Sequence, residues 1–377
     1  MNRVPTKTYF LTGLFLLSGL SVFAQSARKY SNDYLTIGVG ARAFGMSNSV
    51  IASTDDVTSG YWNPAGLTQQ EDKLQLSFMH SNYQGGIANY DYIGLSTKVK
   101  ENAALSFSMV RLGVDNIPNT LDLIRNGQIN YDRVTSFSAV DYGFYVSYAQ
   151  LALKEGLSIG GSAKIVHRKG GDFATAWGFG IDLGARYETK NNWSFAAMGR
   201  DITTTFNAWK YTFTDAEIDV LQSTGNEVPI NSLELTLPTL ILGAAKKIDI
   251  KEDFSLLTEV NVDFTTDGRR NTLLKSNIFS GSPHMGIEAG YKNIIYLRGG
   301  IGNFQEVKND IVIGEEIVDN EVRNIYGTNW TFMPNIGLGL NLKQITIDYA
   351  LTDVSNQSAA QYSHVFSIRA AVNPAGQ

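Results

Sequence analysis

Thr175–Glu188 reads TAWGFGIDLGARYE. Its odd positions carry Thr175, Trp177, Phe179, Ile181, Leu183, Ala185 and Tyr187. Its even positions carry Ala176, Gly178, Gly180, Asp182, Gly184, Arg186 and Glu188. Successive side chains of a strand point to opposite faces, so the stretch predicts a strand with one aromatic and aliphatic face and one small or charged face. Trp177 and Tyr187 stand near its two ends, where the aromatic girdles of a transmembrane barrel lie.

The same alternation recurs along the chain. Val140, Tyr142, Phe144, Val146 and Tyr148 alternate with Asp141, Gly143, Tyr145 and Ser147; Ile345, Ile347, Tyr349 and Leu351 alternate with Thr346, Asp348, Ala350 and Thr352. Strands are expected at 73–82, 88–98, 102–113, 135–150, 156–168, 175–188 and 192–200. Seven more are expected at 236–247, 253–264, 283–291, 294–302, 331–342, 344–352 and 361–372. That is an even number, as a bacterial single-chain barrel requires. Connections after even-numbered strands are short, while those after odd-numbered strands include every long one, at 114–134, 201–235, 265–282 and 303–330. Outer-membrane barrels have short periplasmic turns and long outer loops. The expectation is therefore an all-β, fourteen-stranded antiparallel transmembrane barrel with both termini in the periplasm. A soluble β-sandwich shares the alternation but neither the aromatic strand ends nor the phased loops.

Composition agrees with this. Mean hydropathy is −0.11, as expected when only every second strand residue faces lipid. Arg3 and Lys7 precede an uncharged, largely apolar run from Tyr9 to Leu20, and small residues at Val22 and Ala24 complete a signal-peptidase site. Cleavage after Ala24 is expected; a retained anchor helix fits less well, because a span needs about 20 apolar residues. Cysteine is absent, which excludes a lipobox and a disulfide framework. Loss of Arg3 and Lys7 takes the formal net charge from −5 to about −7, and no basic stripe suggests nucleic acid.

Lys164, Arg168, Asp182, Arg186, Glu188, Arg200, Glu259, Asp263, Glu288, Arg298, Asp348 and Arg369 fall on the inward face of this map. Charges of both signs inside a narrow lumen must pair or stay hydrated, so an interior laced with ion pairs and partly plugged is expected. The connection 201–235 is rich in acidic residues but also holds Trp209, Tyr211, Phe213 and Ile218. That mixture makes Trp209, Tyr211 and Phe213 candidate partner-binding residues, with packing over the barrel mouth as the alternative.

Residues 25–72 have a different texture. Gly40, Ala41, Ala43 and Gly45 permit close packing, the stretch near Ser47 to Ser53 is helix-compatible, Asn63-Pro64 reads as a turn, and Asp55 and Asp56 can cap backbone donors. The spacing of Gly38, Gly40 and Gly45 lacks the Gly-Lys-Ser/Thr element and the βαβ context of a nucleotide-binding loop. A compact small-residue segment ahead of a mid-sized barrel suits an N-terminal lumen plug, with the barrel proper at 73–377.

The triplet Asn63-Pro64-Ala65 after such a segment resembles the hallmark of FadL-type outer-membrane proteins, which are fourteen-stranded. The longer string, with Gly40-Ala41-Arg42-Ala43, Gly45-Met46, Asp55-Asp56 and Trp62-Asn63-Pro64-Ala65-Gly66-Leu67, is similar to the PorV/PorQ family of Bacteroidetes, a FadL-like branch linked to type IX secretion. The resemblance implies a component or paralogue that binds secretion subunits or the C-terminal domains of secreted cargo through its outer loops. A FadL-like transporter of hydrophobic or small amphipathic solutes is the other reading. Gly66 stands where the PorV-type pattern carries a lysine, so the role within that family stays open.

Enzyme chemistry is not expected, nor is a cofactor. His80, His167, His284 and His364 fall on separate strands without metal-ligand spacing, and no serine, histidine and orienting acid converge in the strand map. Outer-membrane lipid is the one partner the fold itself demands.

Overall fold

A computed structural model describes residues 31–125, 128–318, 321–355 and 362–372; the expected signal peptide, 1–24, lies outside them. The barrel strands are β1 (Leu74–Tyr83), β2 (Ala88–Lys100), β3 (Ala103–Asn119), β4 (Thr135–Leu151), β5 (Leu157–Gly170) and β6 (Ala174–Glu188). Strand β7 comprises Trp193–Arg200 and Thr205–Tyr211, and β8 comprises Ser232–Thr236 and Thr239–Lys251. Then follow β9 (Phe254–Thr265), β10 (Ser280–Tyr291), β11 (Ile295–Val318), β12 (Glu321–Leu342), β13 (Ile345–Thr352) and β14 (Ser363–Val372). Each pairs antiparallel with its sequence neighbour, and β1 closes on β14 with Leu74 opposite Val372 and Asn82 opposite His364. Closure leaves no free sheet edge, which a lipid-exposed sheet cannot tolerate.

Burial follows the alternation read from β6: Ala176, Gly178, Gly180, Asp182, Gly184 and Arg186 are buried, whereas Trp177, Phe179 and Leu183 are exposed. Phe107, Val146, Leu242, Leu338 and Phe366 are exposed on other strands. This outward apolar belt around a polar interior inverts the soluble pattern and is what a bilayer requires. No helix among the described residues is long and apolar enough to cross a membrane.

Two expectations are corrected. The connection 303–330 is largely strand, and 201–235 holds strand at both ends with a helix between. Strand β7 resumes at Thr205 and runs to Tyr211, Asp215–Ser223 is a helix with a Thr214–Glu217 capping box, and β8 begins at Ser232. β11 and β12 continue outward as one long hairpin with register shifts at Gly302/Gln305 and beyond Lys308. Along the outer part of β11 and β12 both faces meet water, so the two-residue apolar period that reveals a membrane strand is lost; β7 instead resumes beside Trp177 and Phe179 of β6 after its break at Asp201–Thr204.

Strand β7 is interrupted at Asp201–Thr204, opposite Leu237-Pro238 of β8. Pro238 has no N–H to give a ladder. The β6 side of the gap is held by Ile202 N donating to Ile181 O and by Ile181 N donating to Thr203 Oγ1.

Residues 31–70 lie inside the barrel. Helix α1 (Ala41–Gly45) packs against β11–β14, α2 (Ser59–Trp62) packs against β3 and β4, and the 3-10 turn Pro64–Gln69 packs against β3–β6. The helix expected near Ser47 to Ser53 sits earlier, at Ala41–Gly45. Ser47 and Asn48 have φ of 51° and 63°, left-handed values that end the helix.

Candidate functional site

Residues of the N-terminal segment line two vestibules in the lumen. The inner one, of about 480 Å³, is lined by Arg42, Asp55, Asp56, Arg186, Glu288, Arg298, Asp348 and Arg369. The outer one, of about 380 Å³, has Leu35, Ile51, Tyr61, Trp62 and Ile241 at its apolar surfaces. Lys164, Asp182, Arg200, Asp263, Arg270 and His284 are among its polar groups, with Asp33, Asp201 and Asp267. Ser31 and Asn32, the first described residues, lie on the outer side and meet Thr236 Oγ1. The chain then descends to Gln70, beside Ser96 and the start of β1.

The motif positions become geometry here. Gly40, at φ 84°, donates its N–H to Met79 Sδ at 3.0 Å. Gly45 abuts Gly337, where an added Cβ on either would lie 3.0 Å from the other's Cα. Arg42 Nε donates to Glu288 Oε2 at 3.0 Å, and Arg298 Nε reaches the same oxygen at 2.6 Å. Arg298 Nη1 continues to Asp348 Oδ1 at 2.6 Å. Asp56 pairs with Arg369 and accepts from Thr58 N at 2.8 Å, so it caps as expected. Asp55 instead stands exposed in the inner vestibule. Trp62 Nε1 donates to Val39 O at 2.9 Å, closing the segment on itself.

Asn63 explains the triplet. Its Oδ1 accepts from Ala65 N at 3.2 Å, while its Nδ2 donates to Ile51 O at 3.1 Å and Ala185 O at 3.3 Å. Pro64 occupies the first position of the 3-10 turn, where a missing N–H costs nothing. Ala65 and Pro64 lie so close to β5 that a Cβ on Gly160 would meet Ala65 N at 2.7 Å.

The segment is held differently on its two sides. Toward β3–β6 hydroxyls hold it, with Ser147 Oγ and Ser162 Oγ both donating to Gly60 O, and one cation joins them, Arg186 Nη1 donating to Thr54 O. Toward β9–β14 the contacts are charged, through Glu259 on Ala52 N, Glu288 on Arg42 and Arg369 on Asp56.

Elsewhere in the lumen Lys164 Nζ contacts Asp182 at 2.9 Å and Asp201 at 2.6 Å, and Arg168 grips Asp141 through two 3.0 Å bonds. At the outer rim Arg270 holds Asp267. Burial pushes the Asp267 carboxyl up, but the Arg270 hydrogen bond and charge outweigh it and keep the group below its usual range. Hydrogen bonds from Lys275 and Thr328 likewise lower Glu306.

Trp209 and Tyr211 sit on the outer half of β7 and Phe213 just beyond it, none on a free loop. Trp209 Nε1 donates to Glu234 at 2.9 Å under the Arg168 guanidinium, and the rings of Trp209, Tyr211, Phe213 and Phe173 stack in sequence. The strand map missed one convergence. Ser49 Oγ lies 2.9 Å from His284 Nδ1, whose Nε2 lies 3.2 Å from Asp263. Ser49 is wholly buried, so the chain ties the segment to the wall and offers no nucleophile. Of the three, only Asp263 was placed on the inward face by the alternation. Among the described residues no group of side chains is arranged to hold a metal ion.

No protein-family model and no curated protein matches the sequence. Solved structures do match. The Ralstonia pickettii toluene transporter TbuX is 13% identical with a TM-score of 0.54, covering 89% of this chain and 99% of that one. The CymD monoaromatic hydrocarbon channel is also 13% identical, with a TM-score of 0.53 over 89% of this chain and 98% of that one. The Pseudomonas putida toluene transporter TodX is 12% identical, at 0.52 over 88% and 96%. At such identities the likeness is one of fold. With the closed sheet and its outward apolar belt, it makes this chain an outer-membrane barrel of FadL-like architecture.

Proposed function

We propose that the protein is a conduit for small hydrophobic or amphipathic solutes, in which residues 31–72 act as a plug between the two vestibules. The observation that carries this is the outer vestibule itself. It is a cavity of ligand size with Tyr61, Trp62, Leu35, Ile51 and Ile241 among polar groups, and residues of the N-terminal segment line both it and the inner vestibule. The fold likeness to the toluene transporters TbuX and TodX supports the same direction. Toluene uptake by intact cells is the test. Cells lacking the protein should take it up more slowly, with recovery on re-expression; equal uptake by both strains would remove this reading.

A second reading rests on the outer extensions. Tyr131, Ile230, Ile278 and Ile311 are exposed apolar side chains outside the regular membrane strands or on their outer ends, and the Trp209–Phe213 ladder adds aromatic surface on the outer half of β7. Exposed apolar surface at such a position suits a protein partner, which accords with the resemblance to barrels that bind type IX secretion subunits or cargo C-terminal domains. Pull-down from native outer membranes in mild detergent should then recover such a subunit or cargo. A preparation containing the barrel alone would argue against it.

A further inference from the structure

Resting on the small-solute reading, we propose that the outer vestibule binds a zwitterionic molecule with an apolar body, such as an aromatic amino acid, with its carboxylate held by Arg200. Arg200 closes the inner part of β7, lines the vestibule and is only 7% exposed. Its guanidinium lies 4.8 Å from the Tyr61 ring centroid and 5.5 Å from that of Trp62. Its hydrogen bond among the described residues runs from Nη1 to Leu35 O at 3.4 Å, and Nε and Nη2 have no partner.

Buried N–H groups on a cation are costly to leave unfilled. The other vestibule cations are engaged: Lys164 with Asp182 and Asp201, Arg270 with Asp267, and His284 with Asp263. Arg200 makes no ion pair among the described residues. Nε and Nη2 form the planar fork that binds a carboxylate through two parallel bonds, and the Tyr61 and Trp62 rings lie against the guanidinium that carries it.

The rest of the ligand follows from the charge balance. Asp33, Asp182, Asp201, Asp263 and Asp267 line the vestibule against Lys164, Arg200 and Arg270, with His284 titratable. Five acids against three permanent cations leave an acidic surplus, so a simple anion would be opposed by the surrounding field. A solute that brings its own cation satisfies both demands. Its ammonium has Asp33 and Asp263 to face, whose side chains are 42% and 37% exposed. The volume of about 380 Å³ lies at the small end of ligand cavities and suits a molecule of amino-acid size.

Calorimetric titration of the full-length protein in detergent tests this with phenylalanine, 3-phenylpropanoate, phenethylamine and benzyl alcohol. Phenylalanine should bind tightest. Arg200→Gln should weaken it by about tenfold or more, the scale of a charge-assisted pair, and leave benzyl alcohol unchanged. Arg200→Lys keeps the charge without the fork and should fall between, and heat-modifiable gel migration confirms that each variant is folded. Phenethylamine binding as tightly as phenylalanine, or unchanged phenylalanine affinity in folded Arg200→Gln, would overturn the assignment. Binding of benzyl alcohol without phenylalanine sinks this inference alone; failure of all four also removes the small-solute reading.

Discussion

Replacing Glu288 with alanine is expected to destabilise the folded barrel by about 3 kcal/mol, the lower end of the range for breaking a buried ion pair. Glu288 accepts from Arg42 at 3.0 and 3.3 Å and from Arg298 at 2.6 Å, so one carboxylate joins the N-terminal segment to β11. Without it Arg298 keeps Asp348, but Arg42 is left with Ser53 Oγ at 3.5 Å. Water in the inner vestibule reaches Arg42, whose side chain is 21% exposed, and that places the loss at the low end. The temperature of the heat-modifiable gel shift should fall, and the segment around Arg42 should become protease-sensitive before the barrel unfolds. Adding Arg42→Leu should restore part of the loss, because no buried charge then lacks a partner. An unchanged midpoint in Glu288→Ala would show that the ion-pair chain contributes nothing.

Gly300→Val is expected to act through shape alone. Gly300 and Gly286 pair directly across β10 and β11 and make a flat place in the wall on which the backbone of Met46 and Ser47 rests. A Cβ at Gly300 would lie 2.5 Å from Ser47 N and 2.8 Å from Met46 O; at Gly286 it would lie 2.6 Å from Met46 O. These obstacles are main chain, so no rotamer change relieves them. Overpacking of well-packed sites costs roughly 1–3 kcal/mol, and here the relief available is displacement of the segment. The folded variant should conduct ions in planar bilayers where the native protein does not, with proteolysis near Ser47. A closed, protease-resistant Gly300→Val protein would mean that the wall yields instead.

The wall was readable before the structure because its information is local. A bilayer outside and a polar lumen inside impose a period of two on each strand, as in Trp177–Asp182–Leu183–Arg186. The phased connections then fix strand number and direction. The lumenal charges were readable for the same reason, since Lys164, Glu259, Glu288 and Arg298 are inward by parity alone. Strand lengths beyond the bilayer were not, because the continuations of β11 and β12 carry no apolar period.

Which charge meets which was undecided until the barrel closed. Arg42 and Glu288 are separated by 246 positions and Asp56 and Arg369 by 313, and nothing local distinguishes them from other acids and bases of the same parity. The same holds for Ser49 with His284, and for Arg200, which parity sends inward and only the packed lumen leaves without a carboxylate. Sequence by itself determined a membrane barrel whose inward face is small or charged. Tertiary structure decided where the N-terminal segment lies, that it is tethered to β9–β14 through Glu259, Glu288 and Arg369 and to β3–β6 through Ser147, Ser162 and Arg186, and that it lines both vestibules. The division follows from range: alternation is set by neighbours in the chain, whereas pairing across a lumen is set by which strands closure brings face to face.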